Sequence, residues 1–229
     1  MPFTPTDIIS LHGYEIGLDR QALPLPILRA MIKGWYEAGE VKLIKGFIEP
    51  EDRVLELGSG IGITTMVTAD IVGEDSIFPY ELNPHLVGWA NFNFDKNGKS
   101  IEVFSQALVP AAQKDVGVVD FHIHKNYWGS SLLKRPGTKE VIQVPVAALE
   151  DTVQHHDANC LLMDIEGAEV GLLMAADLSH IEKLIMEIHY GIAGREPTDE
   201  MICHLINSGF SIDLMLSGDG IVAMRRRER

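Results

Sequence analysis

The 229-residue sequence predicts an α/β fold: a mostly parallel, seven-stranded sheet with helices on both faces and an antiparallel C-terminal hairpin. Three observations carry this expectation. First, the apolar run Val54-Leu55-Glu56-Leu57 meets three glycines at alternate positions, Gly58, Gly60 and Gly62, and then a helix-forming segment from Ile63. A buried strand, a turn of bare backbone and a helix start make one half of a βαβ unit. Second, strand-like and helix-like segments alternate as far as Ser105 and again from Cys160, the rhythm of a parallel sheet covered on two faces. Third, Ser211–Leu216 and Ile221–Met224 flank the turn Ser217-Gly218-Asp219-Gly220, which suits a hairpin.

Residues 1–20 read as an irregular arm. From Pro26 to about Phe47, Ile27, Leu28, Met31, Ile32, Trp35 and Tyr36 recur at helical spacing, which predicts one helix covering the sheet. Residues 1–50 are thus an arm and covering helix ahead of a single domain at 51–229. Glu49-Pro50-Glu51-Asp52 breaks the chain before the first sheet strand. A second strand runs from Ser76 to Glu81; Asn83-Pro84 starts a helix that lasts to Asp95 and is closed by Asn97-Gly98. Ile101–Ser105 is the third strand.

The rhythm then breaks. A β insertion at about 117–147 holds two strand-like stretches, Val118–His124 and Glu140–Val146, around a polar loop. His122 and His124 share one strand face; a metal pair is conceivable, but they read as two exposed or half-buried histidines. Cys160–Met163 resumes the sheet, followed by a helix from about Ala168 to Ala176. Leu184–Tyr190 is another apolar run, and Thr198–Ser208 a helix closed by Gly209. The tail Arg225–Arg229 reads as a solvated end.

Composition bounds the function. Hydrophobic residues at 46% suffice for a real core, and the net charge of −14 would repel nucleic acid and anionic membrane alike. The expected partner is therefore a small-molecule acceptor, with no nucleic acid and no membrane. No apolar run approaches the ~20 residues of a bilayer span. The N-terminus lacks the basic start of a signal peptide, and Cys160 and Cys203 read as buried free thiols, so a cytoplasmic enzyme is expected. Nothing in the pattern sets its oligomeric state.

Glycine spacing separates two ligand classes. A dinucleotide turn, G-x-G-x-x-G, closes over a pyrophosphate. Here the pattern is E-x-G-x-G-x-G, and a carboxylate at Glu56 suits a ligand carrying an ammonium and a sulfonium. Glu81, ending the next strand, can accept from a ribose diol. This stretch resembles motif I of the class I S-adenosylmethionine methyltransferases. The resemblance implies a Rossmann-like class I fold and cofactor contacts from Glu56, Gly58, Ser59, Gly60, Gly62, Thr64, Glu81, Asn83, Gln106, Ala107 and Asp164. A nicotinamide-dependent Rossmann oxidoreductase and a non-catalytic cofactor-binding protein stay open.

Ligands of open parallel sheets lie beyond the carboxyl ends of the strands, which gathers Glu56, Glu81, Asp164, Glu166, Glu187 and His189 at one edge. Like charges crowd there, so the grouping calls for a cation. The segments Asp164-Ile165-Glu166-Gly167-Ala168-Glu169 and Glu187-Ile188-His189 resemble D-x-E-G-x-E and E-x-H of FkbM-family methyltransferases. Val144-Pro145-Val146 with Leu149-Glu150-Asp151, and Ser130-Ser131-Leu132, are similar to further segments of that family, with Glu150 where Asp is commoner. The family implies O-methylation of a hydroxyl on a small molecule, sugar or secondary metabolite. His189 is the expected base by intrinsic pKa, with Asp164 as the alternative base and Glu166 and Glu187 in acceptor contact. A divalent metal on Asp164, Glu166 or Glu187 is conceivable but not favoured. Tyr127, Trp128, Ser130 and Ser131, in a loop mixing aromatics with small polar residues, are the candidate substrate contacts.

Overall fold

A computed structural model describes residues 3–227. The arm is not irregular: β1 (Asp7–Leu11) and β2 (Tyr14–Leu18) form an antiparallel hairpin. Its two-residue turn, His12-Gly13, takes positive φ at both positions (52° and 99°), the geometry that matches strand twist. The covering helix is two helices, α1 (Leu25–Ile32) and α2 (Ala38–Phe47). They separate where Gly34 and Glu37 turn left-handed (φ 73° and 54°), which ends helical hydrogen bonding whatever the apolar periodicity.

The chain continues through β3 (Val54–Leu57), α3 (Ile63–Val72), β4 (Ile77–Tyr80) and α4 (Pro84–Lys96), then β5 (Ala107–Val109), β6 (Val118–His124) and β7 (Thr138–Ala148). It ends with α5 (Leu149–His156), β8 (Cys160–Met163), α6 (Glu169–Leu173), β9 (Lys183–Glu187), α7 (Tyr190–Ala193), α8 (Arg195–Asn207), β10 (Phe210–Ile212) and β11 (Ile221–Arg226). Among the described residues the main sheet is mixed and has six strands in the order β10-β11-β9-β8-β3-β4, not seven. Strands β4, β3, β8 and β9 are parallel; β11 runs antiparallel to both β9 and β10. In the terminal pair the first strand stops at Ile212, well short of Leu216.

The strand expected at Ile101–Ser105 shrinks to one bridge, Tyr80 to Phe104. Phe104 N–H donates to Pro79 and its carbonyl accepts from Glu81 N–H, both at 2.9 Å. The next donor on that edge is residue 79, and proline has no N–H to extend the ladder. The insertion makes a separate three-stranded sheet, β5-β7-β6.

Each face of the main sheet carries its own core. Ile44, Phe47, Ile63 and Met66 from α2 and α3 close one face with Trp89 and Phe94 of α4. Leu149, Val153, Leu172, Met201 and Leu205 from α5, α6 and α8 close the other. At the amino-terminal edge, buried Lys183 bridges Asp52 (2.6 Å) and Glu49 (2.5 Å).

The tail is not a solvated end. Arg226 lies in β11 and its guanidinium donates to the carbonyls of Ile181 (2.8 Å), Ser208 (3.0 Å) and Leu178, while Arg225 donates to Phe47 O (3.2 Å). Glu228 and Arg229 lie outside the described residues, as do Met1 and Pro2 of the N-terminal reading. Cys160 is buried, but Cys203 is exposed on α8, against expectation. Among the described residues, no helix is long and apolar enough to cross a membrane.

Candidate active site

The glycine turn joins β3 to α3 and is fixed by its neighbours. Gly58 has φ 85°, and a Cβ there would stand 1.9 Å from the Asp164 carbonyl oxygen. Only glycine allows that conformation and that approach. Gly62 (φ 84°) caps α3 where a Cβ would meet the Phe94 ring at 2.4 Å. Glu81 ties the turn to the next helix: one carboxylate oxygen accepts from Gly60 N–H (3.0 Å) and the other from Asn83 N–H (2.8 Å). Burial raises its pKa to about 7 against those hydrogen bonds.

Beside this turn, at the carboxyl ends of the strands, opens a cavity of about 800 Å³. It brings together Gly58, Gly60, Glu81, Gln106 and Ala107 with Tyr127, Trp128, Ser130, Ser131, Asp164 and Glu166. Apolar walls come from Leu82, Leu86, Leu108 and Phe121. Trp128 reaches across to the N-terminal helices and donates from Nε1 to Tyr36 Oη at 2.5 Å. Tyr127 stacks on His85, 4.8 Å between ring centres.

Other residues expected at the site stand behind this wall. Ser59 is 2% exposed, its hydroxyl is unpaired, and it lines no described cavity. Asn83 is fully buried; it caps α4 by accepting from His85 N–H (3.1 Å) and donates to Ser130 Oγ (3.3 Å). Glu56 accepts from the hydroxyls of Thr64 and Thr65, both at 2.6 Å, so it clasps β3 to the first turn of α3. Burial raises it to about 7, against those two bonds. Glu56 and Thr64 face a second, smaller cavity of about 410 Å³, which also meets Glu187.

The acids and histidine converge as a cluster. His189 Nε2 lies 3.5 Å from Asp164, 3.9 Å from Glu166 and 3.9 Å from Glu187. On its other side, Nδ1 meets Glu169 Oε1 at 3.2 Å. Glu169 is 2% exposed and also accepts from Ile165 N–H at 3.1 Å, so it orients the ring from a fixed position. Glu169 carried no assigned role in the sequence; its place in D-x-E-G-x-E was the available signal. Burial alone would lower His189, but the Glu169 hydrogen bond, Asp164 and the other acids outweigh it and raise the imidazole to about 9. At neutral pH such a ring carries a positive charge. Asp164 is driven well above the usual carboxylate range by burial and by Glu187, although half of its side chain faces the open cavity.

Glu166 takes a left-handed backbone (φ 55°) before Gly167. Arg135 Nη1, from the insertion, pairs with its carboxylate at 2.7 Å, and Ser131 Oγ donates to its carbonyl at 3.0 Å. Arg135, Tyr36 and Glu37 are site residues the sequence reading missed. Asp164, Glu166 and His189 offer one ligand atom each within 4.8 Å of one another and could hold a metal ion. His189 thus takes the place expected of Glu187. His124 Nδ1 accepts from Asn126 N–H at 3.1 Å, and its Nε2 lies 3.2 Å from the Pro136 carbonyl.

Residues 26–117, fewer than half of the chain, match the family model described as protein-L-isoaspartate(D-aspartate) O-methyltransferase. No curated protein matches. Among solved structures, Trm5 of Methanocaldococcus jannaschii in complex with adenosine is 12% identical with a TM-score of 0.51. That match covers 97% of this chain and 55% of Trm5, so the chain spans about half of that protein. Precorrin-6y C5,15-methyltransferase of Geobacter metallireducens GS-15 is 14% identical (TM-score 0.49), covering 92% of this chain and 98% of its own. An rRNA methylase of Streptococcus thermophilus is 10% identical (TM-score 0.44), covering 82% and 95%. The chain has a Rossmann-like methyltransferase fold. The similar structures, Trm5 among them, are mainly tRNA and rRNA methyltransferases, and the exclusion of nucleic acid drawn from a charge of −14 does not stand. A charge summed over the whole chain does not describe one cleft.

Proposed function

We propose that this chain is an S-adenosylmethionine-dependent O-methyltransferase acting on a hydroxyl of a small molecule, sugar or secondary metabolite. The observation that carries the reading is the larger cavity, which joins the glycine turn and Glu81 at one end to Asp164 and Glu166 at the other. The residues fit the cofactor. Gly60 presents bare backbone with open space where a Cβ would stand, Glu81 keeps acceptor capacity for a ribose diol, and Leu82, Leu86 and Leu108 suit an adenine. The matched family model is itself an O-methyltransferase model, and the D-x-E-G-x-E and E-x-H segments resemble the FkbM family. When bound, S-adenosylmethionine supplies a methyl group already activated on a sulfonium.

The protein then has to place an acceptor oxygen in line and take its proton. Asp164 lines the cavity beside the glycine turn, and in its carboxylate form it is the proton acceptor. The His189 imidazolium, held by Glu169, lies 3.5 Å from Asp164 and keeps that carboxylate in position. Ser131 and Arg135 hold Glu166 toward the acceptor side.

Calorimetry with S-adenosylmethionine and S-adenosylhomocysteine, on wild type and Glu81→Ala, tests the cofactor reading. Binding that weakens about tenfold or more in the variant is expected; no binding by the wild type refutes it. Transfer of a labelled methyl group to metabolite and RNA fractions, followed by base treatment, then tests the acceptor class. Label on a base-stable ether supports a hydroxyl acceptor, and label on carbon, nitrogen or a base-labile ester refutes it.

A further inference from the structure

Charge is unevenly placed along this chain. Its two longest stretches without an acid, residues 20–36 and 121–139, hold seven of the 19 lysines and arginines, and all 33 acids lie outside them. In a protein of net charge −14, these two basic stretches are the ones that meet at the larger cavity. Tyr36 ends the first and Trp128 lies in the second; both line the cavity, and Trp128 Nε1 donates to Tyr36 Oη. Arg20 and Arg135 are taken by Asp7 and Glu166. The other five, Arg29, Lys33, Lys125, Lys134 and Lys139, are exposed, and none of them pairs with an acid among the described residues.

The fold brings these cations to the cavity's edge from two sides. Lys125 N–H donates to Gly137 O at 3.0 Å and closes the neck of the insertion loop. Lys125 and Lys139 flank that neck, and Lys134 stands on the loop, whose Tyr127, Trp128, Ser130 and Ser131 line the cavity. On the other side, Arg29 and Lys33 lie one turn apart at the end of α1 and share a face. Lys33 Nζ sits 4.3 Å from the ring centre of Trp35, which is 66% exposed. Within the cavity the sign reverses, since Asp164 and Glu166 line it. An acceptor whose hydroxyl reaches Asp164 has to keep its own negative charge away from those acids, and the rim supplies unpaired cations to meet it. Four of the five are lysines, point charges that suit a phosphate, whereas a planar carboxylate gains most from a guanidinium fork.

We propose that the acceptor carries phosphate, held at this rim by Lys33, Lys125, Lys134 and Lys139 while its hydroxyl enters the cavity. That the phosphate belongs to a methyl acceptor rests on the transferase reading above; binding of phosphate at the rim does not. The same chemistry is offered by a phosphorylated metabolite and by an RNA strand, and probe length separates the two sources. The probes are inorganic pyrophosphate, a dinucleotide with a 5′-phosphate, and a single strand of about twelve nucleotides. Affinities are measured at about 0.05 M salt and again at about 0.2 M. The proteins are wild type, the triple variant Lys125→Glu, Lys134→Glu, Lys139→Glu, the same triple to Gln, the double variant Arg29→Glu, Lys33→Glu, and Lys96→Glu on α4 as the control for net charge. Reversing the three insertion lysines should weaken phosphate binding about tenfold or more and flatten its salt dependence. The Gln triple and the α1 double should each lose severalfold, and Lys96→Glu should stay within about twofold. These side chains are exposed, so S-adenosylhomocysteine affinity should hold within about twofold, which also reports that each variant has folded. A strand that binds no tighter than the dinucleotide assigns a small metabolite, and affinity that climbs about tenfold or more with length assigns a strand; either supports the rim. A wild type that binds none of the phosphate probes overturns it, as do insertion triples that lose no more than Lys96→Glu. Phosphate bound at the rim without S-adenosylhomocysteine binding would leave the rim standing and remove the transferase reading instead.

Discussion

Replacing Glu169 by Gln should change stability in a way that depends on pH with a definite sign. His189 rises from an ordinary 6.5 to about 9 because the Glu169 hydrogen bond and the surrounding acids overcome its burial. A rise of that size corresponds to roughly 3 kcal/mol in favour of the folded, charged form. Glu169 supplies both a hydrogen bond and a charge, while Asp164 and Glu166 remain in the variant, so its share is about 1–2 kcal/mol. Gln keeps a carbonyl for the Ile165 N–H and loses only the charge. Because the folded pKa lies above the unfolded one, the stabilisation is fully present below about pH 6.5 and is lost as pH climbs through about 9. Urea unfolding should therefore show wild type ahead of Glu169→Gln by about 1–2 kcal/mol near pH 6, with the gap closing by about pH 10. NMR titration of the imidazole protons, assigned with a His189→Gln control, should place the wild-type midpoint near 9 and the variant about one unit lower. A gap that is the same at both pH values, or a wild-type His189 titrating near 6.5, would refute the argument that Glu169 charges this ring.

Three further outcomes follow from the geometry. Gly58→Ala puts a Cβ against the Asp164 carbonyl at a positive φ, and should cost roughly 3 kcal/mol or more in urea unfolding while abolishing cofactor binding. Lys183→Met leaves Asp52 buried without its cation and should destabilise by about 3–5 kcal/mol, read from the same melts. A chelator should leave methyl transfer by the metal-free reading unchanged; activity lost to the chelator and restored by magnesium or manganese would instead assign Asp164, Glu166 and His189 to an ion.

What the sequence made legible was whatever depends on local pattern. The turn after β3 is written in three glycines because positive φ at Gly58, Gly60 and Gly62 excludes most side chains. Asp164, Glu166 and His189 were readable together because strand ends in a parallel sheet share an edge. The missed features are set by partners distant in sequence. Arg135 meets Glu166 from 31 residues away and Trp128 meets Tyr36 from 92, and no periodicity records either. Tyr36 and Glu37 sat inside an apolar repeat that looked like unbroken helix, while the left-handed turn at Glu37 leaves no sign in composition. The hairpin at His12-Gly13 was readable in principle, since a polar residue before glycine is a common two-residue turn. The arginines at the C-terminal end misled by their charge, because guanidinium groups cap carbonyls as well as they meet water.

The contact between Gly58 and Asp164 has a consequence for how this edge moves. The two backbones stand too close for even one methyl group between them, and Asp164 N–H donates to Leu57 O at 2.9 Å. The turn that would hold a donor and the acid that would take a proton are in effect one rigid part, with their separation set at folding. Preorganisation of this kind spares the reaction an ordering entropy at the moment of encounter.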